Sequence, residues 1–224
     1  MILLHHMNAA PALQWIVAIV TSYLLGSIPS AYLAAKFGKK GDIRDIGSRN
    51  MGAMNTFYSV GIVAGLLVLL VDIGKGTLAV YFTELIFGIE NQPVTLMQYI
   101  SGIVVVLGHN FPVWLKFRGG KGGATCIGVL ARLIPWACPY YLGLFLLLTA
   151  ITKFPTLSYA VSFVLFPIIS VFYYPESQPW LAIYSVAILM IPGALYIPRL
   201  KEMRRKGGGD WKRVFKRKSL SDRL

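Results

Sequence analysis

The chain has 224 residues, of which 56% are hydrophobic and 14% charged, with a mean hydropathy of +0.62. Few soluble folds could hide that much apolar surface, so a multispanning membrane protein is expected. The formal net charge of +13 lies between the apolar runs and in the tail, where it sets topology and attracts anionic headgroups or phosphate esters in preference to nucleic acid. Cys126 and Cys138, both inside one apolar run, suggest no disulfide framework, and they and the three histidines suggest no metal site.

Residues 1 to 12 have no basic n-region and no separable cleavage pattern, so Leu13 to Ala35 reads as a retained membrane helix. His5 and His6 before it read as an incidental exposed pair. Gly26, Ser27, Pro29 and Ser30 in the second half of the span either kink a tightly packed helix or open its backbone toward a polar site. The connection Lys36 to Asn55 holds five basic residues and is assigned to the cytoplasm by the positive-inside rule. Inside it, Ser48, Asn50 and Asn55 can donate to phosphate or hydroxyl oxygens, and Gly47 and Gly52 let the backbone close in; ordinary turn and N-cap chemistry is the plainer explanation.

Apolar sequence then runs from about Val60 to Phe87 around Asp72 and Lys75, which share one helix face and can neutralise each other inside a bundle. The connection Gly88 to Pro93 carries only Glu90 and suits the outer face. A span over Val94 to Leu115 follows, with His109 near its end, and leads into Lys116-Phe117-Arg118-Gly119-Gly120-Lys121-Gly122-Gly123-Ala124-Thr125. This loop reads as a phosphate cradle: glycines without Cβ bring N–H groups close to an anion, Arg118 and Lys121 supply charge, and a helix starting near Ala124 points its free amides back at the same spot. Its spacing is not the Walker pattern, so nucleotide binding is not favoured. The alternative is a flexible basic loop that only orients the protein.

The run Ala124 to Ile151 is only ~42 Å of helix, and a single crossing would put the eleven Lys and Arg from Arg199 onward outside. A break near Pro135 to Pro139 into two short or re-entrant helices, covering the site at half depth, restores the charge rule. The last spans are Thr156 to Tyr173 and Trp180 to Ile197, followed by Pro198 and a basic tail suited to anionic lipid.

Gly26-Ser27-Ile28-Pro29, the stretch Asp42 to Asn55, Asp72 with Lys75-Gly76, and Gly108-His109-Asn110-Phe111-Pro112-Val113 through Arg118-Gly119-Gly120-Lys121-Gly122 together resemble, in order, the bacterial acyl-phosphate glycerol-3-phosphate acyltransferases of the PlsY type. The resemblance covers most of the chain. It implies an all-α, polytopic integral membrane protein of about seven transmembrane helices including short ones. One acyltransferase domain would span 1–224, with a basic tail from about 199, in the bacterial inner membrane and with the active site toward the cytoplasm. The implied partners are acyl-phosphate, glycerol 3-phosphate and membrane lipid, with lysophosphatidic acid and phosphate as products; no metal, cofactor or nucleic acid is implied. Ser48, Asn50 and His109 are the candidate catalytic residues, His109 either as a base or as a structural hydrogen-bonding group. Arg44, Arg49, Asn55, Arg118, Gly119, Gly120, Lys121, Gly122 and Thr156 are the candidate phosphate contacts.

The chain departs from the family pattern in places. Arg49 stands where Gly is usual, Met54 and Tyr58 replace a Thr and an Arg, and Thr156 to Tyr159 only partly match the third motif region. The C-terminal pattern is reduced to Pro198-Arg199 and Gly209-Asp210. A related transferase with a different acceptor, or a membrane carrier of phosphorylated metabolites, are the alternatives these departures leave open.

Overall fold

The computed structural model describes residues 12–90, 92–177 and 179–211; His5, His6 and the last part of the basic tail lie outside them. Among the described residues the structure is helical, with no strand. It contains α1 (Ala12–Gly26), α2 (Ser30–Phe37), α3 (Ala53–Ser59), α4 (Ile62–Phe87), α5 (Leu96–Asn110), α6 (Gly123–Leu133), α7 (Ala137–Thr152), α8 (Pro155–Ser162), α9 (Leu165–Tyr173) and α10 (Trp180–Lys206). Among the described residues, five stretches are long and apolar enough to cross a membrane: Ala12–Phe37, Ile62–Phe87, Leu96–Leu115, Pro155–Tyr173 and Trp180–Lys206. Gly123–Leu133 and Ala137–Thr152 are shorter apolar helices. The expected break at Pro135 is therefore present, and α6 at 11 residues is only about 16 Å long.

The chain divides into two compact units, Met1–Leu133 and Ile134–Leu224. In the first, α4 is the central helix and packs against α1, α2, α3, α5 and α6. Its lipid-facing side exposes Ile62, Val63, Leu66 and Leu70, while its inward side buries Asp72, Lys75 and Glu84. Polar side chains inside and apolar ones outside is the arrangement a bundle in hydrocarbon requires. Two crossings depend on small residues. A side chain at Gly26 would run into the Val105 carbonyl and one at Gly108 into the Tyr23 carbonyl; Gly76 and Gly128 are likewise pressed against the Thr125 and Ile73 carbonyls. Backbones approach this closely only where Cβ is missing. Thr77 Oγ1 adds a hydrogen bond of 2.9 Å to the Gly128 carbonyl across the second crossing.

The first span is interrupted at Ser27 to Pro29, because Pro29 has no N–H to continue the ladder and restarts the chain as the residue before α2. The far end of α6 is tied down by Arg132, which pairs with the buried Glu84 carboxylate; Glu84 Oε1 also accepts from Gln98 Nε2 at 3.0 Å. The Arg132 guanidinium lies 5.6 Å from the centre of the Tyr81 ring, a position that also suits the negative end of α6.

In the second unit, α7 packs on α8 and α9, and α9 on α10. Tyr141, Phe163 and Phe166 meet with ring centres 5.3 to 5.9 Å apart. The last helix runs past Pro198 to Lys206, nine residues beyond the Ile197 boundary expected from sequence. Proline interrupts one turn of ladder without ending it. Beyond Pro198, Met203 is buried against Phe154, and Arg199, Glu202 and Lys206 form ion pairs at helical spacing, 2.8 and 2.9 Å long.

Candidate active site

Two loops of the first unit meet at the ends of α2, α4 and α5. The loop Lys39 to Gly52 is held by packing and by one amide. Ile43 and Met51 are buried with Ala31, Ala35, Val68 and Leu115, so the loop lies on the bundle as part of its core. The Asn55 side chain, 3% exposed, donates from Nδ2 to the carbonyls of Asn50 (3.0 Å), Ile46 (2.9 Å) and Ile43 (3.2 Å). Its Oδ1 accepts from the Ser48 amide at 2.9 Å and from Ser59 Oγ at 3.3 Å. Every hydrogen of that amide is engaged, so Asn55 is the strut of the loop and offers no donor to a phosphate.

Arg44 is similarly occupied. Its Nε and Nη2 grip Asp42 at 2.6 to 3.0 Å, and Nη1 reaches the Leu115 carbonyl at 3.3 Å, tying this loop to the next. The guanidinium hydrogen bonds hold the Asp42 carboxyl below its ordinary range, and Asp42 raises Arg44 in turn. A carboxyl so lowered contributes to stability above its unfolded-state value and loses that contribution as pH falls through its folded value, so the clamp persists through the neutral range. Arg49, by contrast, is exposed and keeps a φ of 59°. An arginine thus holds a left-handed conformation that glycine would adopt without strain. Ser48 and Asn50 flank it, half-buried.

The second loop follows α5. The Gly119 amide donates to the Asn110 carbonyl at 3.0 Å and the Gly120 amide to the His109 carbonyl at 3.2 Å. Both amides therefore satisfy the C-terminal end of α5 and are not part of an anion cradle, which corrects the expectation for these two glycines. A side chain at Gly120 would strike the His109 imidazole and the Met51 carbonyl, so this glycine is where the two loops touch. By helix geometry, the amides that can face an anion are those of the first turn of α6, at the positive end of that helix. Arg118 is exposed and Lys121 half-buried beside them.

Under the loops lies a buried charged cluster. Asp72 Oδ1 is 2.9 Å from Lys75 Nζ and 2.7 Å from Ser30 Oγ, and Lys75 Nζ also donates to the Ile28 carbonyl at 3.2 Å, inside the helix break. His109 Nδ1 stands 3.7 Å from Asp72 Oδ1, beyond hydrogen-bond distance, with its Nε2 side against Gly120. At 4% exposed, His109 is packed beneath the loop. Thr156 belongs to the second unit, in the first turn of α8. Sequence reasoning overlooked Glu84 with Arg132, and the buried polar groups of Asn110 and Thr125; polar residues inside otherwise apolar helices were the available signal.

An all-helical bundle among the described residues, with several stretches long and apolar enough to cross a membrane, defines a multi-pass integral membrane protein. Residues 16–205 match the family model described as glycerol-3-phosphate acyltransferase, and the chain belongs to that family, in its PlsY type. It is 46% identical to glycerol-3-phosphate acyltransferase 2 of Dehalococcoides mccartyi strain CBDB1, over 93% of this chain and 97% of the relative. It is 38% identical to glycerol-3-phosphate acyltransferase of Bartonella henselae, over 81% and 82%. Among solved structures it is similar to the crystal structure of PlsY (YgiH), an integral membrane glycerol 3-phosphate acyltransferase, in its glycerol 3-phosphate form. That similarity has a TM-score of 0.71 at 29% identity and covers 85% of this chain and 93% of the other. The lysophosphatidic acid form of the same protein gives a TM-score of 0.70.

Proposed function

We propose that this protein transfers an acyl group from acyl-phosphate to a hydroxyl of glycerol 3-phosphate, giving lysophosphatidic acid and inorganic phosphate, at the cytoplasmic side of the bacterial inner membrane. Both substrates carry phosphate. The observation that carries the reading is the start of α6 with Arg118 and Lys121 beside it, packed against a second basic loop that leaves Arg49 exposed. The acceptor oxygen forms the new C–O bond as the acyl carbon–phosphate bond breaks. The departing phosphate takes the negative charge, which the lysine, the arginine and the helix amides stabilise. The hydroxyl proton goes to a phosphate oxygen, which the bound substrates themselves bring within reach. His109 is then a positioning residue for the glycine loop. Ser48 and Asn50, on the loop that Asn55 braces, orient the acceptor.

The test is incubation of the purified protein with acyl-phosphate and glycerol 3-phosphate. Phosphate and lysophosphatidic acid are expected in equal amounts; absence of both in a well-folded preparation would refute the reading. Within it, Arg49→Gly is expected to raise the KM for glycerol 3-phosphate about tenfold, the loss of one charged hydrogen bond. Thermal stability should stay equal or rise, since glycine relieves the left-handed strain. An unaltered KM would remove Arg49 from the site.

A further inference from the structure

We infer that Asn110 is a specificity-determining contact of this site, its side-chain amide reading a ligand that carries both a hydroxyl and phosphoryl oxygens, as glycerol 3-phosphate does. The inference rests on the proposed acyl transfer and adds to it a residue and a substrate.

Asn110 is the last residue of α5 and only 3% exposed. Neither its Nδ2 nor its Oδ1 has a hydrogen-bond partner. Its backbone carbonyl, in contrast, accepts from Gly119 at 3.0 Å, so the residue is firmly placed while its amide is idle. That amide lies at the start of α6. The Cys126 amide donates to the Gly122 carbonyl at 2.8 Å, which makes Gly122 the residue where the helix begins. A Cβ on Gly122, which has a φ of 85°, would come within 2.8 Å of Asn110 Oδ1. In the first turn of the same helix, Thr125 Oγ1 is also buried without a partner.

Leaving a buried donor or acceptor unmatched is costly, and two such side chains at one helix N-terminus call for a ligand or bound water. The chemistry of the idle atoms then selects the ligand. The helix amides and Asn110 Nδ2 are donors and suit phosphoryl oxygens. Asn110 Oδ1 can only accept, so it needs an O–H or N–H from its partner. Acyl-phosphate at neutral pH presents oxygens without hydrogens, whereas glycerol 3-phosphate presents two hydroxyls besides its phosphate. Both ends of the amide are idle, so either orientation presents one unmatched donor group and one unmatched acceptor.

The discriminating variant is Asn110→Leu, which keeps the shape and deletes both polar ends. The KM for glycerol 3-phosphate is expected to rise about tenfold or more, with the KM for acyl-phosphate within about twofold of wild type. An unchanged KM for glycerol 3-phosphate would mean that the amide binds water only, and an equal rise in both KM values would mean that the loop is distorted; either result overturns the inference. If Asn110→Leu does not fold, Asn110→Asp keeps the volume and sets a negative charge against the phosphate, and the same selective loss is required of it. Stabilisation of the detergent-solubilised protein by glycerol 3-phosphate supplies a readout that needs no turnover. If the wild type transfers no acyl group but is stabilised by glycerol 3-phosphate, and Asn110→Leu is not, the acyl-transfer reading fails while the assignment of Asn110 stands. Equal stabilisation of both, or of neither, removes Asn110 from the site.

Discussion

Asp72→Asn is expected to destabilise the protein by about 3–5 kcal/mol, because it leaves the Lys75 ammonium buried without its counter-charge. The Asp72 and Lys75 side chains are 1% and 3% exposed, so water cannot take the place of the lost carboxylate. The double change Asp72→Leu, Lys75→Met removes the charge problem and is expected to recover most of the stability. Activity should not return with it. The pair also holds Ser30 at the head of α2 and the Ile28 carbonyl in the helix break, and it faces His109 across 3.7 Å. Those anchors set the floor on which the glycine loop rests. Thermal unfolding and acyl transfer measured on the same samples separate the two roles. A stable double variant with normal turnover would make the pair purely structural, and a stable single variant would show that Lys75 is not buried as described.

Much of the fold could be read from the chain because membrane segments are set by one-dimensional quantities. Runs of apolar residues marked the spans, and the charge of the connections required the break before Ala137 that separates α6 from α7. The helix break at Ser27 to Pro29 was announced by proline and its small neighbours. The end of the last helix was misjudged because Pro198 stops a helix only where nothing rewards its continuation; Met203 packing on Phe154 and the Arg199, Glu202, Lys206 ladder do so here. The two polar loops were legible as segments, and the engagement of their side chains was not. Which donors remain for a ligand is decided by distances between residues far apart in sequence. Arg44 is engaged by Asp42 and Leu115, Asn55 by three carbonyls, and the Gly119 and Gly120 amides by the end of α5. The same tertiary effect leaves Asn110 idle, although it lies one position from the histidine that attracted attention.

The largest loss of catalysis is expected from Lys121→Ala, with kcat/KM for acyl transfer falling about 10²–10³-fold, the range found when one preorganised group that stabilises developing charge is removed. Lys116→Ala is expected to stay within about threefold, a difference of under 1 kcal/mol. Both lysines sit on the same loop and carry the same charge, so net electrostatics alone predicts similar effects. Their surroundings differ. Lys116 is exposed where the short turn Val113–Leu115 ends, and its long side chain can lie along the bundle toward the headgroups. Lys121 is half-buried between two glycines that cannot move freely, Gly120 against His109 and Met51 and Gly122 against Asn110. The backbone on either side of it is therefore fixed relative to the first turn of α6, which keeps the lysine next to the amides proposed to face the phosphate. A charge held there before the leaving group departs needs no reorganisation during the step. Lys121→Arg should retain part of the rate, since the charge persists while the point-like ammonium is replaced by a wider planar fork. Equal effects of Lys116→Ala and Lys121→Ala would show that the loop acts only through its total charge, and near-normal turnover in Lys121→Ala would remove the lysine from the reaction.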